Sequence, residues 1–192
     1  MDILKERILR EGSGVGTEVV KVDGFLNHMI DVRLMERIGA EFAQRFADAK
    51  VDKILTVEAS GIAVACFAAK YFNYIPVVFA KKMAPNTMIE AAYCAEAKSF
   101  TKGSISLMRV AKKYICEGEN ILIIDDFLAH GEAGAALAEI VRMGGATVVG
   151  LGAVIEKKFQ GGGNKLRSIG VRVESLAVIE RIEDGKICFS DN

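Results

Sequence analysis

The sequence predicts an α/β fold in which a mostly parallel central sheet is flanked by helices. Two stretches support this, since each has an apolar strand-sized run, a short polar loop, a helix-forming segment and a second apolar run. The first stretch runs from "ILTV" (54–57) to "VVFA" (77–80), and the second from "ILII" (121–124) to "TVVGLGAVI" (147–155). Fully apolar strands that alternate with helices are typical of parallel sheets covered on both faces.

Two amphipathic helices are predicted ahead of the first sheet strand. The first covers Ile3 to Arg10, where charged and apolar residues alternate as in an amphipathic helix. In the second, Met35, Ile38, Phe42 and Phe46 follow one another at spacings of three or four, which places them on one helical face.

The two strand–helix–strand units are separated by a long segment, residues 81–120, with weaker periodicity. We interpret it as a hairpin whose tip is mobile, because long loops beside a candidate site are often lids. In the second unit, a helix over about 133–142 ends near Gly144. The C-terminal part contains the strand "VRVESLAVI" and a small hairpin, whose two-residue turn is Asp184-Gly185.

Length and composition indicate one globular domain over residues 1–192, with no nucleic-acid or membrane partner. Lys plus Arg (25) balance Asp plus Glu (25), so no overall field favours nucleic acid. The longest apolar runs are strand-sized and too short to span a membrane. The cysteines are scattered without a CxxC pair, which indicates no zinc site and a reducing, cytoplasmic location: Cys66, Cys94, Cys116 and Cys188.

The run "ILIIDDFLAHGEAG" carries the clearest chemical signal. Asp125 and Asp126 follow four apolar residues, although adjacent like charges at the end of a buried strand repel each other and desolvate poorly. Paired carboxylates there can bind two vicinal hydroxyls, such as those of a ribose. The following glycine turn and helix N-terminus present N–H groups to an anion such as a 5′-phosphate. The alternative is a strand that ends in solvated acids, with Asp126 as a local cap.

This strand, acid pair and glycine turn resemble the ribose-phosphate loop of the type I phosphoribosyltransferases. The similarity extends over nearly the whole chain, through the motifs "KVDGFLNHMID", "VEASGIA", "VVFAKK", "SFTKG", "ILIIDDFLAHG" and "VIEKKFQ". It implies the fold of that family, with residues 1–35 and about 156–192 forming a small hood over the base site. It also implies that Asp125 and Asp126 bind the ribose hydroxyls, and that the 5′-phosphate lies among Ala129, His130, Gly131, Glu132 and Ala133.

That loop departs from the commonest family form, which resembles Ala-Thr-Gly-Gly-Thr. Both hydroxyl side chains are absent and an acid, Glu132, stands in the loop. The N–H groups remain, and we expect Glu132 to point away from the anion, since its repulsion would otherwise weaken binding. His130 is expected to line the loop through its backbone, and His28 to be structural.

The resemblance also assigns a pyrophosphate loop, a transition-state cation and a lid. The loop is Glu58, Ala59, Ser60 and Gly61, although by itself "EASG" would be a helix start capped by Ser60. Lys81 and Lys82 would neutralise the pyrophosphate, with Lys82 catalytic; otherwise they are two solvated lysines. In the family a basic residue here often reaches the neighbouring subunit's site, which implies a homodimer. The run "SFTK" (99–102) resembles part of the mobile closing loop.

For the purine, the resemblance implies that Lys157 donates to a 6-oxo group and that Val20 supplies an apolar contact. Asn27 would donate to the 2-carbonyl of xanthine, where guanine carries an amino group. Phe127 would pack over the base. Without the resemblance, Asn27 would be a turn-capping residue and Phe127 a core residue.

The implied activity is transfer of the 5-phosphoribosyl group from phosphoribosyl pyrophosphate (PRPP) to N9 of xanthine, which gives xanthosine monophosphate and pyrophosphate in purine salvage. Mg²⁺ would enter with PRPP, and no resident metal site is expected. A regulator that senses PRPP on the same fold, or an enzyme for another purine base, is the alternative. A dehydrogenase-like nucleotide-binding protein is disfavoured, because neither GxGxxG nor GxxxxGK[ST] follows a strand.

Overall fold

A computed structural model describes residues 1–82, 91–99 and 104–190 of the chain. The α-helices in these residues are α1 (Asp2–Glu11), α2 (Val32–Arg45), α3 (Ser60–Tyr71), α4 (Glu132–Met143) and α5 (Gly162–Ser168). The strands are β1 (Ser13–Val15), β2 (Val19–Lys21), β3 (Lys53–Val57), β4 (Val77–Ala80), β5 (Ala92–Ser99), β6 (Ser104–Ala111), β7 (Asn120–Leu128), β8 (Thr147–Lys157), β9 (Val173–Glu183) and β10 (Lys186–Phe189).

The central sheet has six strands in the order β10–β9–β8–β7–β3–β4. Every neighbouring pair is parallel except β10 and β9, which form an antiparallel hairpin. Helix α3 lies between β3 and β4 along the chain, and α4 lies between β7 and β8. Such helical crossovers are the usual connection between parallel strands. The predicted α/β fold with a mostly parallel sheet is therefore confirmed.

Apolar side chains alternate between two cores, one on each face of the sheet. Leu122 and Ile124 pack with α1, α2 and α3, whereas Ile121 and Ile123 pack with α4, α5 and the β5–β6 hairpin. All four side chains are fully buried. The period-two alternation of a strand sends successive side chains to opposite faces, so a strand covered on both faces must be apolar throughout.

Several predicted boundaries shift in the structure. The strand predicted at 121–124 continues to Leu128, so the loop predicted over 125–132 shortens to 129–131 and α4 begins at Glu132. The hairpin predicted within 81–120 is present as β5 and β6, and its predicted mobile tip lies outside the described residues, as do residues 100–102 of the "SFTK" run. The C-terminal turn is also present, with positive φ at Asp184 and Gly185.

The N-terminal region forms a β1–β2 hairpin and one wide turn of π-helix over Asp23–Asn27. The amide of Gly14 donates to the carbonyl oxygen of Gly185 at 3.1 Å, which links the β1–β2 hairpin to the C-terminal turn. In the C-terminal region, β8 to β10 continue the central sheet. The division into a core and a hood of 1–35 and about 156–192 stays a prediction. None of the helices within the described ranges is long and apolar enough to cross a membrane.

Candidate active site

Two polar loops meet at the carboxyl edge of the sheet, because β3 and β7 are parallel neighbours. The first loop follows β3 at residues 58–61, and the second lies at the end of β7. A Cβ atom built on Gly61 would lie 3.2 Å from Oδ1 of Asp125, and would collide with the hydroxyl oxygen of Thr56. The fold therefore places the loop at 58–61 against the acid pair of β7, and the second predicted loop follows the end of β7 at the same edge, where α/β proteins bind ligands.

Asp125 and Asp126 differ in environment although they are adjacent. Asp125 is buried, and its Oδ1 accepts a hydrogen bond from the backbone N–H of Asp126 at 3.0 Å, whereas Asp126 is half-buried. Burial, followed by repulsion from Asp126, raises the pKa of Asp125 well above its usual value, while the charge of Lys82 acts in the opposite direction. The pair thus combines a carboxyl that resists ionisation with a more solvated neighbour.

The loop after β3 exposes backbone at the start of α3. The peptide bond between Glu58 and Ala59 is cis, and α3 begins at Ser60. Its cap residue is Ala59 and no side chain caps the helix, so the interpretation of Ser60 as an N-cap is wrong. Beneath the loop, the hydroxyl of Thr56 is buried without a hydrogen-bond partner in the described residues. The first N–H groups of α3 therefore face this edge without a side-chain cap.

The two lysines after β4 have separate roles in the structure. The backbone N–H of Lys82 donates to Oε1 of Glu58 at 2.9 Å, which fixes its chain beside the first loop. Its side chain is exposed and close enough to Asp125 to lower the pKa of that carboxyl. Lys81 instead exchanges two backbone hydrogen bonds with Arg109 at 3.0 Å each, which attaches β4 to β6. Only Lys82 is joined to the acid pair by a described interaction.

The loop after β7 has the geometry of an anion nest. Gly131 has φ 77°, a left-handed conformation that favours glycine, and α4 starts at Glu132 immediately after it. No side chain caps α4, so the interpretation of Asp126 as its cap is wrong. The first N–H groups of α4 have no side-chain cap, and the positive end of the helix dipole lies at this loop, with Ala133 in the first turn.

The first residues of α5 pack against the backbone of the same loop. The amide of Gly162 donates to the carbonyl oxygen of Ala129 at 3.0 Å, and a Cβ atom on Gly162 would lie 2.6 Å from the nitrogen of Gly131. The carboxylate of Glu132 forms an ion pair with the Lys165 ammonium. The acid that departs from the common family loop therefore has a cationic partner from α5.

Two of the predicted purine-binding residues, Lys157 and Phe127, come together at the end of β8. The Lys157 ammonium lies 5.9 Å from the ring centroid of Phe127 and donates to the backbone oxygen of Glu18 at 3.0 Å. Burial lowers the pKa of Lys157, and the negative charge of Glu18 opposes this change. Val20 is buried in the core cluster against which Phe127 packs. This corner offers an aromatic face and a cationic donor.

Asn27 ends the π-helical turn and is exposed. The residue that caps this turn is His28, whose N–H donates to the backbone oxygen of Asp23, and no described hydrogen bond engages the Asn27 side chain. The alternative that Asn27 caps a turn is therefore wrong. No described contact joins Asn27 to Lys157 or Phe127, so its place in the purine site stays a prediction.

Four residues of the site were not predicted. Glu18 accepts a hydrogen bond from Lys157 only through its backbone oxygen. Every residue type has this oxygen, so the sequence could not indicate the contact. Thr56 and Lys165 are single residues that act through tertiary contacts. Gly162 lies in the run "GGG" (161–163), which was a visible signal of close backbone approach.

Comparison with known proteins agrees with this geometry. Residues 22–167 match the family model described as the phosphoribosyl transferase domain. Proteins named xanthine phosphoribosyltransferase share 51% identity with the chain: one from Clostridium novyi over 191 residues, covering 100% of both chains, and one from Laribacter hongkongensis over 189 residues, covering 98% of this chain and 100% of the relative.

Solved structures show the same fold at low sequence identity. The adenine phosphoribosyltransferase from Rhodothermus marinus superposes with a TM-score of 0.73 at 18% identity, over 93% of this chain and 99% of that one. The adenine phosphoribosyltransferase from Thermoanaerobacter pseudethanolicus gives a TM-score of 0.68 at 24% identity, over 77% and 81%. The chain therefore belongs to the phosphoribosyltransferase family and has the type I fold of that family.

Proposed function

We propose that the protein transfers the 5-phosphoribosyl group from PRPP to N9 of xanthine, giving xanthosine monophosphate and pyrophosphate. The observation that carries this proposal is the approach of Gly61 to the Asp125 carboxylate, since it brings the loop at 58–61 against the acid pair that precedes the loop at 129–133. A substrate with a phosphate at one end and a pyrophosphate at the other requires two such loops. The names of the relatives, which share about half of their residues with the whole chain, support xanthine as the base.

PRPP would be held at both ends by backbone groups. The amides of residues 129–133 receive the 5′-phosphate, and those of residues 58–61 receive the pyrophosphate. Asp125 and Asp126 accept hydrogen bonds from the ribose 2′- and 3′-hydroxyls. The buried position of Asp125 favours a role as an acceptor that is oriented by the N–H of Asp126.

In the reaction the bond between C1′ and the pyrophosphate oxygen breaks, the bond between C1′ and N9 forms, and the N9 proton passes to solvent. Negative charge grows on the departing pyrophosphate, and Lys82 lies at the edge where this charge develops. Its backbone is fixed by Glu58 while its side chain remains exposed. We assign to Lys82 the stabilisation of the departing pyrophosphate. Lys81 would stabilise the same anion from a greater distance.

Base recognition would use the corner at the end of β8. Lys157 donates to the 6-oxo group, which disfavours adenine, because adenine carries an amino donor at that position. Phe127 packs on the purine and Val20 closes its apolar side. Asn27 donates to the 2-carbonyl of xanthine, and its exposed, unengaged amide is available for that purpose.

Mg²⁺ is the ion that phosphoribosyltransferases use with PRPP, and we propose that it arrives on the pyrophosphate. Within residues 1–82, 91–99 and 104–190, no group of three or more His, Cys, Asp or Glu side chains forms a cation cage. Mg²⁺ usually keeps several waters and binds through one or two carboxylates plus substrate phosphates, a pattern that the exposed edge beside Asp126 fits. The ion would supply charge neutralisation of the pyrophosphate.

We also propose a cytoplasmic homodimer. All four cysteines are free, as expected in a reducing compartment. An open groove of about 720 Å³ lies between β4 and β6, and Phe79, Lys81 and Arg109 are among the residues that line it. Lys81 in the groove lining precedes Lys82, whose N–H donates to Glu58 of the pyrophosphate loop, so a second subunit that covered the groove would lie near the site. Light scattering after size-exclusion chromatography tests the dimer, and a monomer at micromolar concentration would exclude it.

A substrate panel tests the proposed reaction. Pyrophosphate release from PRPP and Mg²⁺ is measured with xanthine, guanine, hypoxanthine, adenine and orotate, and the highest kcat/KM is expected with xanthine. Preference for adenine or orotate would overturn the base assignment. Binding of PRPP in calorimetry without turnover on any base would favour the PRPP-sensing regulator instead.

A further inference from the structure

We infer that Lys165 is a positioning residue for the 5′-phosphate, because it neutralises the acid that this chain carries inside its phosphate loop. The inference rests on the proposed function, since it concerns the affinity for PRPP. Glu132 occupies the first helical position of α4, directly after the left-handed Gly131. A bound phosphate carries about two negative charges near neutral pH, so an unpaired carboxylate at this position would repel it.

The ion pair is local to the loop. Lys165 lies in α5, and the Glu132 side chain is 20% exposed while that of Lys165 is 41% exposed. A pair with this exposure contributes little to fold stability, because solvent screens it. Its charge nevertheless acts on any anion at the loop. Lys165 is therefore expected to affect phosphate binding more than folding.

Backbone packing fixes the position of α5 and hence of its lysine. Gly162 donates to Ala129, and no room remains for a Cβ atom between Gly162 and the loop backbone. On the side toward the sheet, a Cβ atom on Gly163 would collide with the buried carboxylate of Glu156, which accepts a hydrogen bond from Ser175 Oγ at 2.6 Å. Helix α5 is therefore held between the phosphate loop and β8, and it places Lys165 beside Glu132.

The test is a double-mutant cycle on Lys165→Met and Glu132→Gln, read as KM for PRPP, KM for xanthine and kcat. Lys165→Met leaves the loop acid unpaired, and a repulsion of about 1 kcal/mol or more predicts a rise of roughly five- to ten-fold in KM for PRPP. Glu132→Gln removes the repulsive charge and is expected to lower KM for PRPP by up to about two-fold. The double variant should return KM for PRPP to near the wild-type value.

Rescue by the second substitution distinguishes charge compensation from a structural role, because a damaged α5 would not recover when Glu132 is neutralised. The matched control is Lys70→Met, which removes an ion pair of similar exposure with Glu36 on α2 and α3. It should leave KM for PRPP unchanged. The effect of Lys165→Met should also shrink at high salt, because screening weakens exposed charges.

Unchanged KM for PRPP in Lys165→Met, or no rescue in the double variant, would overturn the inference while wild-type turnover kept the proposed function intact. Absence of PRPP binding and turnover in the wild-type protein would instead remove the proposed function. Thermal melts of all five proteins, the Lys70→Met control included, accompany the kinetics. A rise in KM for xanthine that equalled the rise for PRPP would show general damage and would also overturn the inference.

Discussion

Gly61, at the start of α3, lies against the carboxylate of Asp125, in the second half of β7: a Cβ atom on Gly61 would sit 3.2 Å from Oδ1 of Asp125. The same atom would collide with the hydroxyl of Thr56. The contact joins the proposed pyrophosphate loop to the proposed ribose site, and it leaves no space for a side chain between them. Glycine is required here by close approach and not by a left-handed backbone, since its φ is not positive.

Replacing Gly61 by alanine should therefore weaken PRPP binding. The added methyl group must displace either Thr56 or the Asp125 carboxylate, both of which are buried. We expect KM for PRPP to rise by roughly ten-fold or more, since overpacking costs about 1–3 kcal/mol. Gly24→Ala is the control, because a Cβ atom there meets nothing within 4 Å. Equal KM values for PRPP in the two variants would contradict the steric explanation.

Asp125→Asn should abolish most turnover and yet stabilise the fold near neutral pH. Burial and Asp126 raise the pKa of Asp125, so the folded state binds this proton more tightly than the unfolded chain does. The free energy of unfolding therefore falls as pH rises from the pKa of Asp125 in the unfolded chain through its raised pKa in the folded protein. Below the unfolded-state pKa this loss is absent. Asparagine keeps an oxygen that can accept from the Asp126 N–H.

Calorimetric melts should show Asp125→Asn with a Tm about 2–4 °C above the wild type at pH 7 for each 1 kcal/mol gained, and a smaller difference on acidification. Such a trade between stability and activity is expected where a charged group serves a reaction. A variant that is less stable than the wild type at pH 7 would show that the Asp125 charge is favourable in the fold.

The pH profile should report on Lys157. Burial lowers its pKa, and in the proposed function the protonated ammonium donates to the purine, so kcat/KM for xanthine should fall as pH rises through that lowered pKa. Lys157→Arg keeps a protonated donor to higher pH, so the fall of kcat/KM at alkaline pH should move to higher pH. The ratio of the two proteins at each pH cancels ionisation of the base itself. Superimposable profiles would exclude Lys157 as the titrating donor.

Asn27→Ala should change base selectivity without changing stability. The side chain is exposed and carries no described hydrogen bond, so Tm is expected to stay within about 1–2 °C of the wild type. Loss of a donor to the 2-carbonyl should lower kcat/KM for xanthine by roughly ten-fold, from about 1–1.5 kcal/mol for one hydrogen bond. Hypoxanthine lacks that carbonyl and should be little affected. An equal loss on both bases would remove Asn27 from the proposed selectivity.

The sheet and its loops could be predicted from sequence because local signals agree there. Strand β7 contains the apolar run "ILII" before two acids, and successive side chains of that run enter the cores on opposite faces of the sheet. Its end at Leu128 was misplaced because Asp125 and Asp126 look like loop residues, although they continue the strand and pair with β8. Two adjacent acids inside a buried strand contradict the usual polarity pattern of strands, so the wrong boundary falls at the candidate site.

The hairpin of β1 and β2, the π-helical turn and α5 were not predicted. Strands of three residues carry too little periodicity to detect, and a helix that opens with glycines at 162 and 163 has poor intrinsic propensity. These elements form because tertiary contacts hold them, such as Gly14 with Gly185 and Gly162 with Ala129. The ion pair between Glu132 and Lys165 could not be foreseen, because it depends on where α5 packs.

The hydrogen bond from Lys157 to the main chain at position 18 has a consequence for how this protein can vary over evolution. Every amino acid that leaves the β1–β2 turn undistorted presents the same backbone carbonyl at this position. Residue 18 can therefore be substituted without changing the position of the Lys157 ammonium. Its charge, however, still acts on the Lys157 pKa. Substitutions at this position would therefore adjust the working pH range of base recognition while its geometry stays constant, which makes residue 18 a practical handle for engineering.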